Sequence, residues 1–190
     1  AQAGAAHFIE HLVFKGTPAY SARDIAEHFD GLGGEVNAAT GRDYTVFYTR
    51  VLDEHLDAAA PVLADMLQRP GFYELDQERE VVLEEIAMYE DDPSDKVHEM
   101  IGAAVFPDQP LGRPIIGTAE VISSVSREDL HSYFRAHYTT GRTVLAAAGS
   151  IDHDHLVELA QRLFADMPRS DERPVPTLAN AGRARLVIEQ

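Results

Sequence analysis

"HFIEH", His7 to His11, sets two histidines four residues apart with a glutamate between them. On an α-helix, positions i and i+4 lie on one face, a turn apart, so His7 and His11 can offer two imidazole nitrogens to one cation. Glu10 sits beside the pair, within reach of a water held by that cation. Two histidines plus a more distant carboxylate leave a fourth position on zinc open, the pattern of catalytic sites. Zinc lowers the pKa of the water it holds towards about 7, and a carboxylate can take its proton and pass it on.

The flanks support a second reading. Phe8, Ile9, Leu12, Val13 and Phe14 are apolar, so much of the helix is buried. Polar residues on a buried helix are costly unless paired. A lone histidine on an apolar face is usually a satisfied core residue, and a five-residue pattern occurs by chance. On spacing alone, a metal site and a buried helix with coincidental polar residues stand level.

A third ligand would be a carboxylate on another helix. "LDQEREVVLEEIAMYE", residues 75–90, reads as a strongly charged helix carrying Glu78, Glu80, Glu84, Glu85 and Glu90. Glu78 and Glu85 stand two turns apart on one face, with Val81, Val82 and Ile86 as apolar neighbours. Glu84 points about 100° away from Glu85. Most of these carboxylates must belong to a solvated acidic face.

Working outward, residues 5–14 form a short helix stopped by Gly16 and Pro18. Ser21 and Asp24 form a capping box for a second helix that ends at Gly33-Gly34. "EVNAAT" and "DYTVFYTRV" alternate as strands of a hairpin. A long helix starts near Asp53 with Leu56, Leu63 and Leu67 inward, and Pro61 should kink or split it. A helix from Ser94 to Val105 and a Pro/Gly loop, "FPDQPLGRPIIGT", follow. Ser126 and Asp129 open another capped helix, to about His137. "TVLAAAG" reads as an apolar strand and "DHDHLVELAQRLFADM" as a helix. "PRSDERPVPTLANAG" reads as a linker, and "RARLVIEQ" as a strand that begins something new. The fold class is α+β, an antiparallel sheet packed with several helices. The proposed division is a domain over 1–168, a linker over 169–183 and the start of another domain over 184–190. Both ends look cut from a longer chain.

Composition narrows the function. The 190 residues suffice for a sizeable core, and 45% hydrophobic with 25% charged residues is ordinary for a globular chain. The net charge of −16, from 32 acidic and 16 basic residues, repels phosphate backbones and makes nucleic acid an unsuitable partner. No apolar run approaches a membrane span, and no leader peptide is visible. There are no cysteines, so thiolate chemistry and disulfides are excluded and any zinc must rest on histidine and carboxylate. In "DHDH", the i, i+2 spacing of His153 and His155 does not favour a shared metal, and an exposed helix start accounts for them.

"HFIEH" is the inverted zinc motif of the inverzincins. The longer stretch "GAAHFIEHLVFKGTPAYSARDIAEHFDGLGGEVNAATGRDYTVFY", together with "EREVVLEEIAMYEDDP", "LGRPIIGT" and "TVLAAAGSID", closely resembles the pitrilysin/insulinase family of zinc metallopeptidases. Within it, the bacterial relatives of the mitochondrial processing peptidase β-subunit are nearest in pattern. The resemblance covers essentially the whole chain. It implies His7, His11 and Glu85 as ligands of one zinc ion and Glu10 as general base. It also implies that Glu78 supports a ligating histidine, as such carboxylates orient an imidazole. Asn37, Ala38 and Ala39 would hold the backbone of a peptide substrate added as an extra strand. The implied fold is one half of a clamshell peptidase lacking its first strands. A homologous second half, on the same chain or a partner subunit, would complete the cavity and supply an arginine and a tyrosine. The 190 residues alone should then bind zinc with weak or no activity. The alternative is a non-catalytic metal-binding or scaffold subunit of a processing-peptidase-like complex.

Overall fold

The structure, a computed structural model, describes residues 3–170 and 178–182. Helix α1 (Ala5–Val13) is entered through Gly4, whose φ of 89° is left-handed. A Cβ there would stand 2.6 Å from the Ile116 carbonyl oxygen, and one on Gly117 (φ 85°) would stand 2.7 Å from that of Ala3. Two glycines back to back therefore seat the start of α1 against the loop ahead of residue 118. The helix buries Ala5, Phe8, Ile9, Leu12 and Val13 and leaves His7, Glu10 and His11 half-buried along one rim. The polar triplet thus avoids the full desolvation that a wholly buried helix would impose.

A turn bridged between Gly16 and Ser21 leads to α2 (Ala22–Gly31), closed at its start by the expected Ser21–Asp24 capping box. Buried Thr17 pins the turn: its hydroxyl donates to Asp65 at 2.5 Å and accepts the amides of Ala19 and Tyr20 at 3.1 Å. Strands β1 (Glu35–Thr40) and β2 (Thr45–Arg50) pair antiparallel, from Glu35 opposite Arg50 to Thr40 opposite Thr45. Val36, Ala38 and Thr40 face inward; Glu35, Asn37 and Ala39 are exposed. Arg42, in the turn, donates to the carbonyls of Leu111 and Arg113 at 2.6 and 2.7 Å, fastening the hairpin tip to the distant loop.

Helix α3 (Leu56–Gln68) follows a 3₁₀ turn at Asp53–His55 and contains Pro61 without splitting. The amide missing at Pro61 would have served the carbonyl of Asp57, an exposed residue whose carbonyl water can satisfy. The inward face is also rotated from expectation. Ala59, Val62 and Met66 are fully buried, while Leu56, Leu63 and Leu67 are half-buried on the flank. Helices α4 (Leu75–Asp91) and α5 (Pro93–Val105) meet at Asp92, whose carboxylate caps α5 by accepting the Ser94 and Asp95 amides. A short helix with no counterpart among the expected elements, α6 (Ala119–Ser124), is capped by Thr118. Then come α7 (Arg127–His137), with its Ser126–Asp129 capping box, and α8 (His153–Leu163).

The class is α+β, as expected, but the sheet among the described residues is the single hairpin. Residues 143–149 form no strand. Their backbone finds no partner strand among the described residues, and Val144 and Leu145 are 88% and 51% exposed. Apolar composition favours a strand, but a strand exists only where another supplies its hydrogen bonds. The strand expected at "RARLVIEQ" lies outside the described residues. No described helix is long and apolar enough to cross a membrane.

The core gathers on α1. Phe8, Ile9 and Leu12 pack with Ile25, Phe29, Val62, Met66, Phe72, Val82, Ile122 and Leu130. Each such side chain contributes about 1.5–3 kcal/mol by leaving water. The polar rim of α1 is consequently held on a rigid support.

Candidate metal centre

The rim of α1 faces α4. His7 Nε2 lies 3.7 Å and His11 Nε2 3.6 Å from the same oxygen, Glu85 Oε2. The imidazoles are tilted by 63° with centroids 4.7 Å apart. One ligand atom from each of His7, His11 and Glu85 lies within 4.8 Å of the other two. Around a tetrahedral zinc with bonds of about 2.0–2.1 Å, neighbouring ligand atoms stand about 3.3 Å apart. The two histidine–carboxylate separations are a few tenths of an ångström wider, so side-chain movement would bring them to such an ion.

The electrostatics suit a cation. Burial first, and neighbouring His11 second, pull the His7 pKa down to about 4. At neutral pH this imidazole is therefore uncharged, with a lone pair to donate. Burial also raises the Glu85 pKa; nearby His11 opposes this and the Glu10 carboxylate adds to it. His7 Nδ1 is buried without a hydrogen-bond partner among the described residues.

Glu78 stands behind His11. Its Oε2 lies 3.2 Å from His11 Nδ1, the nitrogen turned away from Glu85, and its Oε1 lies 2.5 Å from Lys15 Nζ. Glu78 is 6% exposed, so these two contacts hold a carboxylate that burial would otherwise disfavour. Glu80, Glu84 and Glu90 are exposed, as the helical phase required of a solvated face. Glu10 lies on the same rim, with Thr40 of β1 donating to its Oε2.

Of the three β1 positions expected at a cleft, Asn37 and Ala39 are exposed and Ala38 is half-buried. The Ala38 amide donates to Asn37 Oδ1 at 2.8 Å. Among the described residues only β2 pairs with β1, and no described strand lies along its other edge. Among the described residues, His153 and His155 belong to no metal-binding cluster. His155 Nε2 lies 2.9 Å from Asp57 of α3, and its amide is capped by Asp152. Lys15 and Thr40 were not singled out from the sequence. The inward phase of β1, which pairs Thr40 with Val36 and Ala38, was the one available signal for Thr40.

Comparison with known proteins places the chain in a family. The insulinase family of peptidases (M16) matches residues 1–119, and the family's inactive domain matches residues 124–188. The chain belongs to the insulinase, or M16 peptidase, family. It is 46% identical over 183 residues to an uncharacterized zinc protease of Mycobacterium tuberculosis, covering 95% of this chain and 42% of that protein. Among solved structures, a protease from Helicobacter pylori superposes with a TM-score of 0.86 at 22% identity, over 96% of this chain and 45% of its own. Pitrilysin superposes with a TM-score of 0.79 at 23% identity, over 94% and 20%. These two show the shared fold. The chain spans less than half the length of each.

Proposed function

We propose that the chain is the metal-binding half of a zinc metalloendopeptidase that hydrolyses peptides or extended protein segments. The observation that carries this reading is the convergence of His7 Nε2, His11 Nε2 and Glu85 Oε2 on one point, with Glu10 beside them. His7, His11 and Glu85 would hold zinc, and Glu78 would fix the ring of His11 through Nδ1. Zinc, when bound, supplies a Lewis acid for the scissile carbonyl and makes water more acidic. Glu10 is the general base: its carboxylate accepts a proton from the attacking water and returns one to the leaving nitrogen as the C–N bond breaks. The substrate backbone lies extended along the edge of β1 away from β2, at Asn37, Ala38 and Ala39.

Residues 1–168 form the catalytic unit in this reading, 169–183 a linker and 184–190 the start of the next domain. Leu130, from the segment matching the inactive domain, shares one core with Phe8 and Ile9, which supports a single unit across both matches. A homologous second half, on this chain or a partner, completes the cavity. The partial coverage of the relatives supports that view.

The alternative, a metal-binding scaffold subunit, lacks the use of Glu10. Zinc analysis and peptide hydrolysis by the complete protein and its Glu10→Gln and His7→Ala variants separate the possibilities. Bound zinc with Glu10-dependent cleavage supports the peptidase. Zinc without such cleavage points to the scaffold. Absence of metal returns the site to a structural role.

A further inference from the structure

We infer that Thr40 is the positioning residue for Glu10, tying the orientation of the general base to the substrate-binding strand; this rests on the peptidase reading above. Glu10 ends in a flexible carboxylate on the half-buried rim of α1. The one hydrogen bond that the described residues give it comes from Thr40 Oγ1, to Oε2. Thr40 reaches α1 because β1 alternates: Val36, Ala38 and Thr40 share its inward face, and Thr40 is the last residue before the turn.

The hydroxyl of Thr40 has one proton, and Glu10 takes it. Thr45 Oγ1 lies 3.4 Å from Thr40 Oγ1. With Thr40 already donating, Thr45 is the donor in that contact. Thr40 and Thr45 are also directly opposite in the hairpin register. Thr40 orients Glu10, and Thr45 lies behind Thr40 as a weak, longer contact. The hairpin itself is held from the far side, since Arg42 fastens its turn to the carbonyls of Leu111 and Arg113.

The consequence is functional. Glu10 sits on a helix, whereas the proposed peptide platform at Asn37–Ala39 is on β1. Thr40 is the residue next to that platform, so the bond registers the proton acceptor against the strand on which the substrate lies. Oε2 is engaged by Thr40, which leaves Oε1 as the oxygen available to accept a proton. A base displaced by even 1 Å forfeits on the order of a hundredfold in rate.

The test compares Thr40→Val, which keeps the shape and removes the donor, with Thr40→Ser, which keeps the donor, in the complete zinc-loaded protein. Thr40→Val should lower kcat about tenfold to a hundredfold with KM and zinc content unchanged, and Thr40→Ser should restore most of it. A stability cycle gives a readout independent of turnover. The shifts in urea midpoint caused by Thr40→Val and Glu10→Ala should be non-additive, because both remove the same bond. Full kcat in Thr40→Val, equal failure of Thr40→Ser, or additive midpoints would overturn the inference. If the unaltered protein cleaves nothing, or cleaves equally well as Glu10→Gln, the peptidase reading itself fails, and that outcome is read from the parent protein alone.

Discussion

Glu78 shows how much one buried carboxylate can govern. It touches no candidate ligand atom facing the cation point, yet it meets His11 Nδ1 on one oxygen and Lys15 Nζ on the other. Removing it frees the His11 ring to rotate and leaves Lys15 without its 2.5 Å partner. Glu78→Ala should therefore weaken zinc binding about 10- to 100-fold, measured by competition with a chromophoric chelator. Unchanged affinity would deny Glu78 this role. At this scale the sequence was legible where contacts follow helical phase. His7 and His11 share a face by their spacing, and the same periodicity set Glu78 with Glu85 while turning Glu84 outward. Lys15 and Thr40 were not legible, because their partners come from segments remote in sequence. Thr40 and Glu10 are 30 residues apart, and no local pattern announces that contact.

The helices illustrate what local chemistry can specify. Ser21 with Asp24, and Ser126 with Asp129, both form the reciprocal capping boxes that their spacing implied. Ser126→Ala should lower stability by about 1 kcal/mol in urea denaturation. In each box the hydroxyl and amide of the serine hold the aspartate below its ordinary pKa of 3.8. A carboxylate depressed in the folded state binds fewer protons there than in the unfolded chain. Its stabilisation is therefore complete above the ordinary value and is lost as pH falls through the depressed one. Acid titration of the helical circular dichroism signal should show a shallower loss below about pH 4 in the Ser21→Ala, Ser126→Ala double variant than in the parent. An unchanged acid limb would show that the boxes do not titrate with folding. Residues 143–149 mark the limit of local reasoning. Their apolar run satisfies strand preference, yet no described strand lies beside them, and Val144 and Leu145 are exposed.

For the molecule as a whole, a cation bound between α1 and α4 would add a third link to the apolar packing and the His11–Glu78 contact that already join them. Zinc at 1,000 times its Kd would stabilise the fold by about 4 kcal/mol, since the unfolded chain has no preformed site. Removing the metal with a chelator should lower Tm, and His7→Ala should abolish that difference in differential scanning calorimetry. The approach of α1 is set elsewhere, by Gly4 against Gly117. Gly117→Ala places a Cβ 2.7 Å from the Ala3 carbonyl at a φ of 85°, which should cost at least about 1–2 kcal/mol. The same variant should loosen zinc binding, because it shifts the start of the helix that carries both histidines. An unaltered Tm and zinc affinity would show that the loop yields without disturbing α1.

The sequence by itself determined the parts that depend on near neighbours along the chain. These are the helical spacing of His7, Glu10 and His11, the face shared by Glu78 and Glu85, the two capping boxes and the hairpin. Tertiary structure alone decided how those parts meet. It turned the rim of α1 towards α4 so that three ligand atoms converge. It also brought Lys15 to Glu78 and Thr40 to Glu10, and gave residues 143–149 no partner strand among the described residues. The physical reason is range: periodicity and capping act over a few residues, whereas a site is closed by packing between segments far apart in the chain. The core around Phe8, Ile9 and Leu12 supplies that closure, because burying one face of α1 fixes where the other must point.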